Sequence, residues 1–267
     1  MGNLIVKKKI DSQLTIDVGP ESAAWRYVGF KALKLQSGQS YTDDSRGTEI
    51  CLVIIGGRAD VVAGETTFTN IGERTSPFAT TPPYSVYLPP GTPYRIRAVT
   101  PLEVGICSAA DATGAFPIRL IGPKDVVTME RGEGSCLRRI NNILMGETLA
   151  ERLLVTEVFT PGGNWSSYPP HKHDQDKLPR ESYLEETYYH RISPAQGFVV
   201  QRVYTDDRSL DETMAAADGD CVLVPRGYHP VGVPHGYASY YLNTMAGPHR
   251  QWKFHNDPDH EWLLTGK

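Results

Sequence analysis

This chain of 267 residues lacks most of the features that would tie it to a membrane or a nucleic acid. No stretch of eighteen or more apolar residues occurs, so no membrane-spanning helix is expected. Lys and Arg number 27 against 31 Asp and Glu, a formal charge of −4, so there is no basic footprint for phosphates to grip. Cysteine is scarce: Cys51, Cys107, Cys136 and Cys221 stand far apart and form no CxxC pair, which excludes a zinc knuckle and a dithiol redox site. Cys51 and Cys221 lie in apolar runs, where a free thiol packs as a small hydrophobe. Reduced thiols of a cytoplasmic protein are the expectation. The opening MGNLIVKKKI carries its lysines after a very short apolar run, the reverse of a secretory leader. Helical periodicity is also rare. The best helix candidates are SCLRRINNILM at 135–145, within a connector, and the tail DPDHEWLLTGK. Histidine is absent from the first 170 positions, and all eight lie at or after 171.

What is present reads as β structure. The 25 glycines and 20 prolines punctuate short runs rich in Val, Ile, Thr and Tyr. EICLVII (49–55), YSVYLP (84–89), LEVGICSA (102–109), RLLVTEVFT (152–160), LEETYYH (184–190), GFVVQRVYT (197–205) and YASYYLNTMA (237–246) are examples. Short strands at close spacing predict sandwiches or barrels. ATTPPYS and DQDKLPRES read as loops. A long-range repeat is visible. Glu49 lies 40 positions before Pro89, and Glu186 lies 39 before Pro225; each proline is followed by x-Gly. The repeat aligns Glu49 with Glu186 and predicts a duplicated module, with one barrel over 1–130 and a second over 131–267, joined by a connector at about 131–150.

The two halves differ in chemistry. His171 and His173, two apart, aim their imidazoles to one side of a strand, with Lys172 pointing away. Glu186 on the next strand and His229 on a later one would complete three nitrogens and one oxygen. That set suits a divalent Zn, Mn, Fe or Ni ion and leaves coordination positions open. Glu185 and Glu186 face opposite sides of their strand, so Glu186 is taken as the inward one. The first half has Glu49 but no histidine partners, so its barrel is expected to lack a metal site. His235, His249, His255 and His260 read as surface or structural residues, and Trp252 and Trp262 as aromatics that pin the tail.

His-x-His followed by Glu, together with GDCVLVPRGYH, resembles the paired motifs of the cupin superfamily. The spacing departs from the common form: twelve residues separate His173 from Glu186, and one separates Gly227 from His229. The longer phrases ERLLVTEVFTPGGNWSSYPPHKHD, LEETYYHR, VLVPRGYHPV, YYLNTMAGP and TPPYSVYLPPGTPYRI resemble the 5-deoxy-glucuronate isomerase family of myo-inositol catabolism. The resemblance implies an all-β bicupin of two jelly-roll-like barrels with few helices. It implies a cytoplasmic enzyme interconverting 5-deoxy-glucuronate and 5-dehydro-2-deoxygluconate, with His171, His173, Glu186 and His229 at the metal-ligand positions. Aldose–ketose isomerisation shifts a proton between adjacent carbons, and a divalent metal can steady the charge on their oxygens. Tyr188 and His190, on the Glu186 side of the strand, are the candidates for proton handling. Arg202 and Arg226 are candidates for the substrate carboxylate, and Tyr241 for the pocket wall. The expected partner is a small sugar acid, with self-association possible and no nucleic acid or membrane. Two competing readings share this frame: a cupin oxygenase, which would consume oxygen, and a non-catalytic sugar-acid-binding bicupin, which need not keep a metal set.

Overall fold

A computed structural model of the chain describes residues 3–146 and 149–264. It bears out the all-β architecture. The first barrel pairs a six-stranded sheet with a four-stranded one. The six run in the order Arg119–Ile121, Ser85–Leu88, Thr48–Gly56, Leu102–Ala110, Val28–Leu35 and Leu14–Val18. The second barrel pairs seven strands with four. The seven are Ile5–Val6, Cys221–Val224, Glu185–Ser193, Ala238–Ala246, Leu154–Thr160, Arg138–Leu144 and Val127–Arg131; the four include Phe198–Tyr204 and Asp211–Ala217. The pairings are antiparallel, as short strands joined by tight turns require.

The expected boundary at 130 is crossed twice. Ile5–Val6 pairs with Cys221 and Val222, and Val127–Arg131 pairs with Arg138–Asn142, so both segments belong to the second barrel. The helix expected at 135–145 is a short 3-10 turn, Gly134–Cys136, followed by the strand Arg138–Leu144. In the tail, Pro258–Leu264 forms a 3-10 helix; residues 265–267 of that expectation lie outside the described residues. DQDKLPRES is a hairpin rather than a loop, with Asp174–Lys177 pairing with Glu181–Tyr183.

The two large sheets pack face to face, and this explains why their strands read as unbroken apolar runs. In EICLVII, Ile50, Leu52 and Ile54 point into the first barrel, while Cys51, Val53 and Ile55 point between the barrels. In the second barrel Tyr188 and Ile192 point inward, and Tyr189 joins the inter-barrel core. Contact is so close at Gly105 that a β-carbon there would lie 2.4 Å from Leu242 Cδ2.

Register corrects the repeat alignment by one residue. Ile50 lies opposite Leu88, and Glu186 opposite Val224; Leu88 and Val224 each precede the motif proline. The counterpart of Glu186 is therefore Ile50, and that of Glu49 is Glu185. A slip of one residue exchanges the faces of a strand, so Glu49 and Glu185 both leave their barrels and reach into the other. Glu185 accepts backbone N–H bonds from Arg26, Tyr27 and Val28 at 2.7, 2.7 and 3.0 Å. Glu49 accepts those of Glu151, Arg152 and Leu153, and the Tyr87 hydroxyl as well. Arg74 and Glu157 add a fully buried, two-pronged ion pair across the same interface, at 2.8 and 2.7 Å.

Candidate metal centre

Four elements of the second barrel deliver the site. His171 lies on the two-residue strand His171–Lys172, which pairs with His255–Asn256 of the tail. His173 follows it and is tied to the next strand at both ends: its carbonyl accepts from Leu184 N at 2.9 Å, and its Nδ1 donates to the Leu184 carbonyl at 3.0 Å. Glu186 points inward from Glu185–Ser193. His229 follows a turn at Gly227, which has φ +92° and comes so close to the Tyr204 carbonyl that a β-carbon would sit 2.4 Å from it. Only glycine fits there. The Gly227 carbonyl in turn accepts from His229 Nδ1 at 2.8 Å.

The three histidines each present a ligand atom within 4.8 Å of the others. Glu186 Oε2 lies 3.0 Å from His173 Nε2 and 3.3 Å from His229 Nε2. His173, His229 and Glu186 are buried; His171 is partly so and faces the cavity. Burial, and then the neighbouring histidines, hold His171 well below the usual imidazole range. Burial pulls His229 down to about 4. Burial also acts against charge on His173, but the hydrogen bond and charge of Glu186 outweigh it and raise the imidazole. The residues fit a divalent cation. Backbone carbonyls fix the Nδ1–H tautomers of His173 and His229, which turns their Nε2 atoms toward the cluster. His229 Nε2 is buried there without a well-formed hydrogen bond. A carboxylate stands beside it.

Lys172 points away, as expected, and its ammonium is held by Asp174 at 3.1 Å and Asp206 at 2.6 Å. Tyr188 and Tyr241 line a small inner chamber of about 40 Å³ together with His171 and Glu186. The Tyr188 hydroxyl is 2.8 Å from Ser167 Oγ, and burial pushes its ionisation well above the ordinary phenol value. His190 is on the same face but too deep. It stands four residues beyond Glu186, roughly 13 Å along a strand. Its ring stacks on Tyr188 with centroids 6.0 Å apart, and its Nε2 is 2.9 Å from Gln201 Oε1. It lines neither chamber. Arg202 is likewise outside: its guanidinium makes two 2.7 Å bonds to Asp211 on the outer sheet surface. Arg226 is exposed and borders a different cavity, beside Asn3 and Trp25.

The cavity that opens onto His171 measures about 440 Å³. Its walls include Arg131, Arg138, Tyr168, Phe254 and Asn256. Arg131, Arg138 and His171 also border the inner chamber, where Trp252 forms part of the wall. Trp252 thus faces the site as well as securing the tail. None of these arginines or tail aromatics stands in a motif, so their spacing alone carries no signal.

The KduI/IolB family profile matches residues 4–263. A relative called 5-deoxy-glucuronate isomerase in Geobacillus kaustophilus (strain HTA426) is 55% identical over 252 residues, covering 94% of this chain and 91% of its own. One of the same name in Bacillus subtilis (strain 168) is 52% identical over 253 residues, covering 94% and 93%. The crystal structure of an IolB-like protein from Salmonella typhimurium LT2 is 48% identical, with a TM-score of 0.96, covering 98% of this chain and 100% of that one. Oxalate decarboxylase from Lactobacillus farciminis, in its formate complex, shares 14% identity at a TM-score of 0.68, covering 99% and 91%, a likeness of fold alone. The chain belongs to the KduI/IolB family.

Proposed function

We propose that this protein is an aldose–ketose isomerase that converts 5-deoxy-glucuronate to 5-dehydro-2-deoxygluconate at a divalent ion held by His171, His173, Glu186 and His229. One observation carries the reading: three imidazoles and a carboxylate converge at the end of a sugar-sized cavity in a chain about half identical to relatives bearing that enzyme name. A divalent ion there would supply Lewis acidity to the two adjacent substrate oxygens. The donor set accepts Zn, Mn, Fe or Ni.

The chain's own residues do the rest. Burial favours the neutral phenol at Tyr188 over the phenolate. Its hydroxyl, fixed by Ser167, is placed to hand over a proton and to recover one as hydrogen moves between the adjacent carbons. His190 supports Tyr188 from behind. Tyr241, with its ring 4.8 Å from that of Tyr188, shapes the wall. Unpaired thiols, three of them buried, favour a reducing, cytoplasmic setting. Among the described residues no helix is long and apolar enough to cross a membrane.

The test is to incubate the metal-loaded protein with 5-deoxy-glucuronate and follow the aldehyde proton by NMR. Conversion to the ketose without oxygen uptake supports the proposal. No conversion overturns it, and oxygen uptake would mark an oxygenase instead. Tyr188→Phe should lower kcat by roughly 10²- to 10⁴-fold, the usual worth of a positioned acid; an unchanged kcat removes Tyr188 from the mechanism.

A further inference from the structure

The substrate class is anionic, and the two arginines suggested by the sequence stand elsewhere. Arg202 is already neutralised by Asp211. The cavity wall carries a different pair. Resting on the uronate reading above, we infer that Arg131 and Arg138 form a carboxylate subsite that grips the end of the sugar acid remote from the histidines.

Three features support this. Both guanidinium groups border the outer cavity and the inner chamber alongside His171, so a molecule reaching the histidines passes them. Among the described residues neither makes an ion pair with a carboxylate, whereas Arg74 pairs with Glu157 and Arg191 with Glu103 and Asp218; Arg119, Arg139, Arg152 and Arg250 share that lack but bond backbone carbonyls away from both chambers. Two unpaired like charges in a half-buried wall destabilise the empty protein, and an anion between them removes that penalty.

The third feature is preorganisation. Arg131 Cζ lies 5.5 Å from the Trp252 ring and 5.2 Å from the Phe254 ring. Contact with ring faces steadies the plane and leaves the N–H donors around its edge available. Arg138 Nη1 donates to the carbonyls of Cys136 at 2.9 Å and Tyr168 at 3.3 Å, which fixes one arm and leaves the other donors for a ligand. Tail and cavity are thereby coupled: the segment that pairs with His171 also carries the aromatic clamp on Arg131. A planar carboxylate matches such forked donors in a way a hydroxyl does not.

The experiment uses gluconate, a sugar acid with no carbonyl to isomerise, and sorbitol, its uncharged counterpart. Each is titrated into the metal-loaded protein by calorimetry, with the tryptophan emission that Trp252→Phe removes as a second readout. Wild type should bind gluconate and discriminate against sorbitol. Arg131→Met and Arg138→Met should each weaken gluconate binding by roughly 10- to 100-fold, the loss expected for a charge-assisted hydrogen bond, with metal content unchanged. Arg131→Lys should restore only part, since an ammonium cannot present a fork. Undiminished gluconate binding by Arg131→Met would overturn the inference. So would equal losses for gluconate and sorbitol, the mark of a merely structural role. If Arg138→Met does not fold, Arg138→Lys takes its place under the same criteria. Failure of wild type to turn over 5-deoxy-glucuronate, with the gluconate pattern intact, would sink the reaction reading and spare the subsite.

Discussion

Replacing Glu185 with alanine should destabilise the whole protein, although the side chain touches neither cavity. Its carboxylate is 1% exposed and accepts the N–H groups of Arg26, Tyr27 and Val28, all from the other barrel. Alanine leaves those three donors, two of them buried and that of Arg26 partly so, without an acceptor. Each such donor costs roughly 1–3 kcal/mol. Water entering the vacated space recovers part, so the net loss is about 3–6 kcal/mol, a large share of the roughly 5–15 kcal/mol that holds a protein folded. With a urea slope of about 3 kcal/mol per molar for a chain of this size, the unfolding midpoint should fall by roughly 1–2 M. Glu185→Gln keeps one oxygen acceptor and should lose about half as much. The assay is urea unfolding followed by circular dichroism, with metal content held equal. A midpoint within roughly 0.3 M of wild type would mean that the crossed carboxylates are incidental and that apolar packing alone joins the barrels.

Further outcomes follow from the buried charges. Arg74→Met strands the Glu157 carboxylate, which keeps the amide bond of Asn141, and should cost about 3–5 kcal/mol. Adding Glu157→Leu should recover much of this in the same assay; a double variant no better than the single would refute the pairing. Burial holds His190 at about 4, below its unfolded value. Between pH roughly 6.5 and 4 the unfolded chain binds a proton that the folded one refuses. Stability from this residue is full above that window and is lost as pH falls through it, by about 3 kcal/mol. His190→Asn should flatten the stability slope between pH 7 and 5; an unaltered slope rules out His190 as its source.

The strands are legible because short runs rich in Val, Ile, Thr and Tyr, bounded by Gly and Pro, survive in any barrel. The histidines were legible because His-x-His is a local geometric device, with both rings on one side. Register was not. Glu49 and Glu186 both precede a Pro-x-Gly turn, and only cross-strand pairing reveals that Ile50 is the true counterpart of Glu186. The strand Arg138–Leu144 reads as helix because a bulge between Asn142 and Leu144 breaks its alternation, so that Ile140 faces the barrel interior while Ile143 and Leu144 both join the inter-barrel core. Arg131 and Arg138 sit on the two arms of that same hairpin. Read as a connector, the segment offers no site residues, so the sequence points instead to Arg202 and Arg226, which lie near the motifs, and not to the arginines that line the site. From sequence Trp252 reads only as holding the tail, because no local pattern shows that the tail returns to pair with His171.

The central claim is that His171, His173, His229 and Glu186 hold one divalent ion. X-ray absorption at the edge of the protein-bound metal tests it most directly. The account predicts one ion per chain, with imidazole nitrogens at about 2.0–2.1 Å if the ion is zinc and outer-shell scattering from three rings, reduced to two in His229→Ala. A spectrum without imidazole scattering, or one that His229→Ala leaves unchanged, would contradict it.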